Sequence, residues 1–306
     1  MVVTQAPMRQ LELVREAKVF DILGDRLDPR LEASGVLAKE RLEASGVLAK
    51  DGLFYVIFDN LPHIARIGPE LSPAATANAV IRQKKGHNDG FEDIAYDAEH
   101  GRFYVLIEAL PRDHGTYMAK VQEYDADFRY LGQAWLDFPL DRPNKGLEGL
   151  TCVNRGGQTY LLGLCEGNRC RGGKEGEIPG GGRVHVFRRG DGQWERVGKI
   201  RLPEAVQFVD YSGIAVAGDR IAVISQMTSA LWVGQLAPSG WEVTGDGTCY
   251  ALPRGADGGI VYGTAEGVSW MAPDQLVMVS DKAKPEQDPR CRDKDQSIHI
   301  FRMPVP

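Results

Sequence analysis

The chain has 306 residues, of which 43% are hydrophobic, 36 are Gly and 17 are Pro, and it carries a formal net charge of -6. That apolar share supports a packed core and excludes a disordered chain, and the acid excess excludes non-specific binding to a nucleic acid polymer, which needs Lys and Arg to neutralise phosphates. No apolar run approaches the roughly 18 residues that cross a bilayer, so no membrane partner is expected.

The N-terminal stretch MVVTQAPMRQLELVREAKVF lacks the basic start, apolar segment and small-residue cleavage site of a secretory leader, so the expected location is cytoplasmic, the alternative being secretion with a leader removed. Within it, QLELVREAKVF at 10–20 reads as a strand. A tandem copy follows, RLEASGVLAKE at 30–40 and RLEASGVLAKD at 41–51, an 11-residue duplication. Only one copy can be the innermost strand of the first repeat. The second copy runs through Lys50-Asp51-Gly52 directly into LFYVIF, which suits a tight hairpin. Ser45 is therefore expected in the sheet, and Ser34 is expected to be displaced into a loop or short helix.

From Ser45 onward one pattern recurs five times. A polar or acidic residue precedes an aliphatic one, then comes a turn, then an apolar strand that ends in a polar residue. The stretches are 45–60, 92–109, 148–167, 212–227 and 266–282. Each is a β-hairpin signature, with turn residues such as Asp51-Gly52 or Gly156-Gly157 between two short strands. Successive first positions are 47, 56, 64 and 54 residues apart, the length of a four-stranded propeller blade with its loops. Third strands follow at 63–67, 118–124, 183–189, 230–236 and 297–303. The last repeat has no room for a fourth strand, so residues 10–20 are expected to complete it. The predicted fold is all-β: a five-bladed β-propeller forming one domain over 1–306, closed by its N-terminal strand.

In a propeller the first strand of every blade lines the central channel. Equivalent positions there form a ring: Ser45, Glu92, Glu148, Ser212 and Glu266. Three carboxylates that close are costly without a cation or proton uptake. Hard oxygen donors suit calcium first, with magnesium or manganese as alternatives. Zinc is disfavoured because neither His nor Cys recurs at ring positions. Second strands run back beside the first, so Asp59, Glu108, Glu166, Gln226 and Asp281 are expected to rim the same mouth. Among these, Asp59, Glu166 and Asp281 are the catalytic candidates.

The Ser, Glu, Glu, Ser, Glu order, one residue per blade, resembles the calcium-activated nucleotidase (apyrase) family. The resemblance implies a five-bladed propeller with calcium held by Ser45, Glu92, Glu148, Ser212 and Glu266, and hydrolysis of nucleoside di- and triphosphates. After the first hairpin that family has an acidic pair followed by Arg-Thr-Gly, whereas this chain has Asp59-Asn60-Leu61-Pro62. Only Asp59 matches, so the likeness bears on the metal ring rather than on nucleotide chemistry.

Two loops leaving second strands carry basic residues: Arg169, Arg171 and Lys174 in one, Lys282, Lys284, Arg290 and Arg292 in the other. Arg66, Lys84, Lys85 and Lys145 are further candidates. Basic side chains over a metal bind anionic oxygens, and Arg169 and Lys282 are the substrate-binding candidates. The expected ligand is a small molecule at the channel mouth, a phosphate ester or anhydride. Two other readings are a non-catalytic binding or scaffold propeller with structural calcium, and a glycosidase-like propeller that uses Asp59, Glu166 and Asp281.

Cys152, Cys165, Cys170, Cys249 and Cys291 are odd in number and irregular in spacing. They are read as reduced and mostly buried, with a Cys165–Cys170 bridge as the alternative. The six histidines form no HExxH pair and no repeated ligand. The five tryptophans are read as packing between blades.

Overall fold

The computed structural model describes residues 8–27, 42–82, 90–112, 115–140 and 146–304, apart from the side chains of Asp25 and Glu108. The first copy of the duplicated segment, with Ser34, lies outside them, as do Lys84, Lys85 and Lys145.

The chain begins with β1 (Arg9–Gln10) and β2 (Glu12–Lys18). A first antiparallel run follows: β3 (Ala44–Lys50), β4 (Leu53–Phe58), β5 (Leu61–Ile67) and β6 (Ala79–Arg82). The second is β7 (Phe91–Asp97), β8 (Arg102–Pro111), β9 (Tyr117–Tyr124) and β10 (Tyr130–Leu136). The third is β11 (Leu147–Arg155), β12 (Gln158–Cys165), β13 (Arg183–Arg189) and β14 (Gln193–Arg201). The fourth is β15 (Gly213–Ala217), β16 (Arg220–Ser225), β17 (Ala230–Leu236) and β18 (Val243–Ala251). The fifth has β19 (Ala265–Ala272), β20 (Gln275–Ser280) and β21 (Ser297–Arg302).

The N-terminus completes this pattern. Strand β2 pairs antiparallel with β21, Glu16 opposite His299, while β1 pairs parallel with β18. One short segment therefore ties the fifth run to the fourth and covers the edge of each, which removes unpaired backbone groups. The second and third runs share one eight-stranded sheet through a two-residue parallel pairing of β10 with β14. That sheet curls until its two end strands, β7 and β11, lie side by side, so it is nearly closed.

The first strands follow one another around a cycle: β3 beside β7, then β11, β15, β19 and back to β3. The apolar core repeats that cycle. One cluster joins Ile57 and Ile64 to Phe91 and Val105, the next Leu106 and Leu136 to Leu150 and Leu161. A third joins Leu164 and Val186 to Ile214 and Val223. A fourth joins Ile224 and Leu231 to Val268 and Met278, and the last brings Val277 and Ile298 against Val47 and Val56. Middle strands such as β4, β16 and β20 are buried at five successive residues, because each sheet is covered on both faces. The outer strand β18 is mostly exposed. Burying both faces requires continuous apolar runs instead of alternation, and LFYVIF, RIAVIS and QLVMVS are such runs.

Candidate functional site

Four first strands reach their start through an irregularity, while β15 pairs in regular register from Gly213. In β3, β11 and β19 the pairing register skips Ser45, Glu148 and Glu266; in β7 it shifts between Phe91 and Ile94, across Glu92. A bulge adds one unpaired residue and re-aims its side chain, so these positions leave the ladder. The chain stays close to its neighbours there. A Cβ on Gly213 would lie 2.3 Å from the Glu266 carbonyl oxygen, and one on Gly46 would lie 2.8 Å from the Asp93 Cα. Only glycine admits such an approach. In the second run Asp93 stands in place of that glycine. Its buried carboxylate accepts hydrogen bonds from the Ile94 amide at 2.8 Å and, across to the third run, the Leu150 amide at 2.7 Å.

At this end of the first strands lies a cavity of about 590 Å³. Glu92, Glu148 and Glu266 line it from the first strands, and Asp59, Glu166 and Asp281 from the ends of second strands, with Gln226. Lys282 and Lys284, with Ala283 and Pro285, form one wall. Glu43 also lines it and was not anticipated. Its signal was the Glu-Ala-Ser that opens each repeat copy, and its carbonyl accepts the Asp59 amide at 2.9 Å, which places it beside a rim acid. Seven carboxylates thus face two lysines.

Electrostatics follow from that crowding. Burial raises the Glu266 carboxyl well above its ordinary value, and the charges of Asp281 and Glu148 raise it further. Asp281 is pushed up to about 7, chiefly by burial, with Glu43 and Asp59 adding repulsion. Glu43 and Asp59 are raised too, burial again leading. Gln226 Nε2 lies 3.5 Å from Glu266 Oε1. Asp281 Oδ1 is buried with no hydrogen-bond partner among the described residues.

Other expected site residues sit elsewhere. Ser45 and Ser212 are buried and do not line the cavity; their hydroxyls are drawn to backbone instead. Ser45 Oγ donates to the carbonyl of Phe91, the residue before Glu92, and Ser212 Oγ donates at 2.8 Å to that of Ala265, the residue before Glu266. Each serine therefore fixes the strand that carries the next glutamate. Arg169 does not line the cavity either: its guanidinium donates to the Ile178 carbonyl at 3.3 Å. Arg66 donates to the Ala77 carbonyl, and Arg290 pairs with Asp257 and Asp288. The side chain of Glu108 lies outside the description. Deeper between the same first strands the channel narrows to about 150 Å³, lined largely by apolar residues such as Ile94, Leu150, Ile214 and Val268.

For the cysteines the alternative reading holds. Cys165 and Cys170 form a disulfide instead of staying reduced, because the chain after β12 turns back within five residues and brings the two Cα atoms to 5.2 Å. His185 and His299 occupy equivalent places, each third in its strand. The tryptophans behave largely as read, Trp194 and Trp232 being buried. No helix among the described residues is long and apolar enough to cross a membrane.

No family model matches the chain, and no curated protein matches it. Among solved structures it is similar to the glutaminyl cyclase of Myxococcus xanthus, at 13% identity over 97% of this chain and 98% of that one, with a TM-score of 0.54. It is also similar to the PQQ-bound aldose sugar dehydrogenase from Streptomyces coelicolor, at 11% identity, 97% and 99% coverage and a TM-score of 0.48. A virginiamycin B lyase from Staphylococcus aureus matches at 13% identity, 97% and 76% coverage and a TM-score of 0.39. At such identities the likeness concerns the fold alone: the chain is an all-β protein of the β-propeller type.

Proposed function

We propose that the five antiparallel runs are the blades of a five-bladed propeller whose channel mouth binds a divalent cation, calcium first, and hydrolyses a small anionic substrate. The observation that carries this reading is the cavity itself, where seven carboxylates from four of the runs converge against two lysines. The donor set fits a hard cation: mainly carboxylate oxygens, including the unpartnered Asp281 Oδ1, in a space that admits several ligands. Glu92, Glu148 and Glu266 would hold it. Ser45 and Ser212, expected on sequence grounds to join them, would act by positioning the glutamates through the backbone.

When bound, the cation supplies charge that stabilises an anionic transition state. The chain's own groups do the rest. Asp281, whose carboxyl burial and neighbouring acids raise, faces the same space and would take the proton from water. Asp59 and Glu166 face the same space and would orient that water. Lys282 and Lys284 would bind the substrate's anionic oxygens, as a phosphate ester or anhydride presents them. Resemblance to the nucleotidases supports the cation more than the nucleotide, since it rests on the ring.

A scaffold reading has its own support. Ser45, Ser212 and Asp93 each bridge one run to the next, so a cation at this end would also pin the runs together.

Metal analysis of the purified protein, followed by melting with calcium and with chelator, tests the cation. Calcium is expected to raise the melting temperature, and Glu266→Gln is expected to weaken calcium binding at least tenfold, about 1.4 kcal/mol. A melting temperature indifferent to chelator and to added calcium would sink the site. Phosphate release from a panel of esters and anhydrides then separates hydrolase from scaffold.

A further inference from the structure

We propose that the reduced protein binds a soft divalent cation, zinc first, through Cys165, Cys170 and His185, at a site that the disulfide closes and reduction opens. The sulfurs and a nitrogen of His185 all lie within 4.8 Å of one another. His185 Nε2 is 3.3 Å from Cys170 Sγ. A tetrahedral zinc sets such sulfur and nitrogen atoms about 3.5 Å apart, and two sulfurs about 3.8 Å apart. Once the S–S bond is broken, a small rotation of two side chains reaches that arrangement, and Cα atoms 5.2 Å apart accommodate it.

The histidine gives the independent sign. His185 is 4% exposed and its ring stacks on Phe138 with centroids 4.0 Å apart. Its Nδ1 is buried with no hydrogen-bond partner among the described residues, and its Nε2 faces only sulfur. Buried polar groups are ordinarily satisfied, as both nitrogens of His299 are. An imidazole packed in place, with Nε2 against one sulfur and the second sulfur in the same close group, has the form of a ligand. Cys170 is only half-buried, so a water can enter as fourth ligand.

The chemistry balances with a dithiol as reductant. The Cys165–Cys170 bond breaks, two electrons and two protons pass to its sulfurs, and the dithiol closes to a cyclic disulfide. Zinc then displaces the two thiol protons. Either cross-link holds Cys165 in place, and with it Glu166 in the cavity. An oxidising compartment would keep the disulfide; in the reducing cytoplasm the sequence leads us to expect, the thiols would hold metal.

The test uses the full chain saturated with calcium, so that the channel mouth does not compete. It is reduced with dithiothreitol, freed of reductant without oxygen, and titrated with cobalt and then zinc. Expected are a thiolate-to-cobalt absorption band that saturates near one equivalent, its loss to zinc, and release of about two protons per metal. Oxidised protein should show no band. Cys170→Ser and His185→Ala should weaken binding at least tenfold, while replacing the free Cys249 by Ser leaves it unchanged. A reduced wild type without the band, or the same band in the oxidised protein, overturns the proposal. Neither outcome depends on a variant that folds, nor on the cation proposed for the mouth.

Discussion

The third and fifth runs are built on the same plan and put it to different uses. Each has a histidine third in its third strand, His185 in β13 and His299 in β21. Each second strand ends in a small residue, Cys165 or Ser280, and the next residue is a cavity acid, Glu166 or Asp281. In the fifth run the Ser280 hydroxyl is 2.9 Å from His299 Nε2, and His299 Nδ1 is 3.2 Å from Glu16. The consistent arrangement is a neutral ring that accepts from Ser280 and donates to Glu16. Tyr262 and Lys294 also donate to Glu16. That relay fastens the N-terminal strand behind Asp281. In the third run the strand opposite His185 supplies Lys199, which offers no acceptor, and the small residue is bonded to Cys170. One run is closed by hydrogen bonds from a distant segment, the other by a covalent bond from its own loop. The fourth strand decides which, because it supplies or withholds the carboxylate.

That comparison can be broken in order of effect. His299→Ala strands a buried hydroxyl and a carboxylate, so it should cost about 3 kcal/mol in urea unfolding. His185→Ala removes a stacked ring without such partners and should cost about half as much; equal losses would erase the distinction. Replacing Cys165 and Cys170 together by Ser should cost about 2 kcal/mol, as expected for a short closed loop, and a reduced wild type should match it.

Acid should act on the fifth run. Burial would raise the Glu16 carboxyl, but hydrogen bonds from His299 and Lys294 outweigh it and hold it at about 2 against an ordinary 4.5. The unfolded chain therefore takes up this proton first. The stabilisation is fully present above about pH 4.5 and is lost as the pH falls toward 2. Glu16→Gln should flatten the decline in melting temperature between about pH 5 and pH 3 by on the order of 2–4 °C; an unchanged slope would count against the relay. Arg169→Ala, remote from the cavity lining, should change stability by less than about 0.5 kcal/mol and leave calcium binding intact.

Much of this architecture was legible. The five hairpins, their spacing and the strand character of residues 10–20 are local patterns of apolar and turn residues, and local patterns survive in one dimension. So was the convergence of Glu92, Glu148, Glu266, Asp59, Glu166 and Asp281, because equivalent positions in a cyclic repeat share an axis. Glu43 was missed because it precedes the hairpin, and the serines were misassigned because a hydroxyl's choice between cavity and carbonyl depends on a neighbouring strand. The disulfide, the relay on His299 and the bare nitrogen of His185 join residues from 5 to 283 positions apart.

Repetition, burial pattern and the acidic character of the repeat starts were thus written in the sequence, since each depends on residue type and spacing along the chain. What each acid, thiol and imidazole meets was decided only in three dimensions. Partnership depends on which strand lies opposite and how a bulge turns a side chain, and both are set by packing between runs that the linear order does not contain.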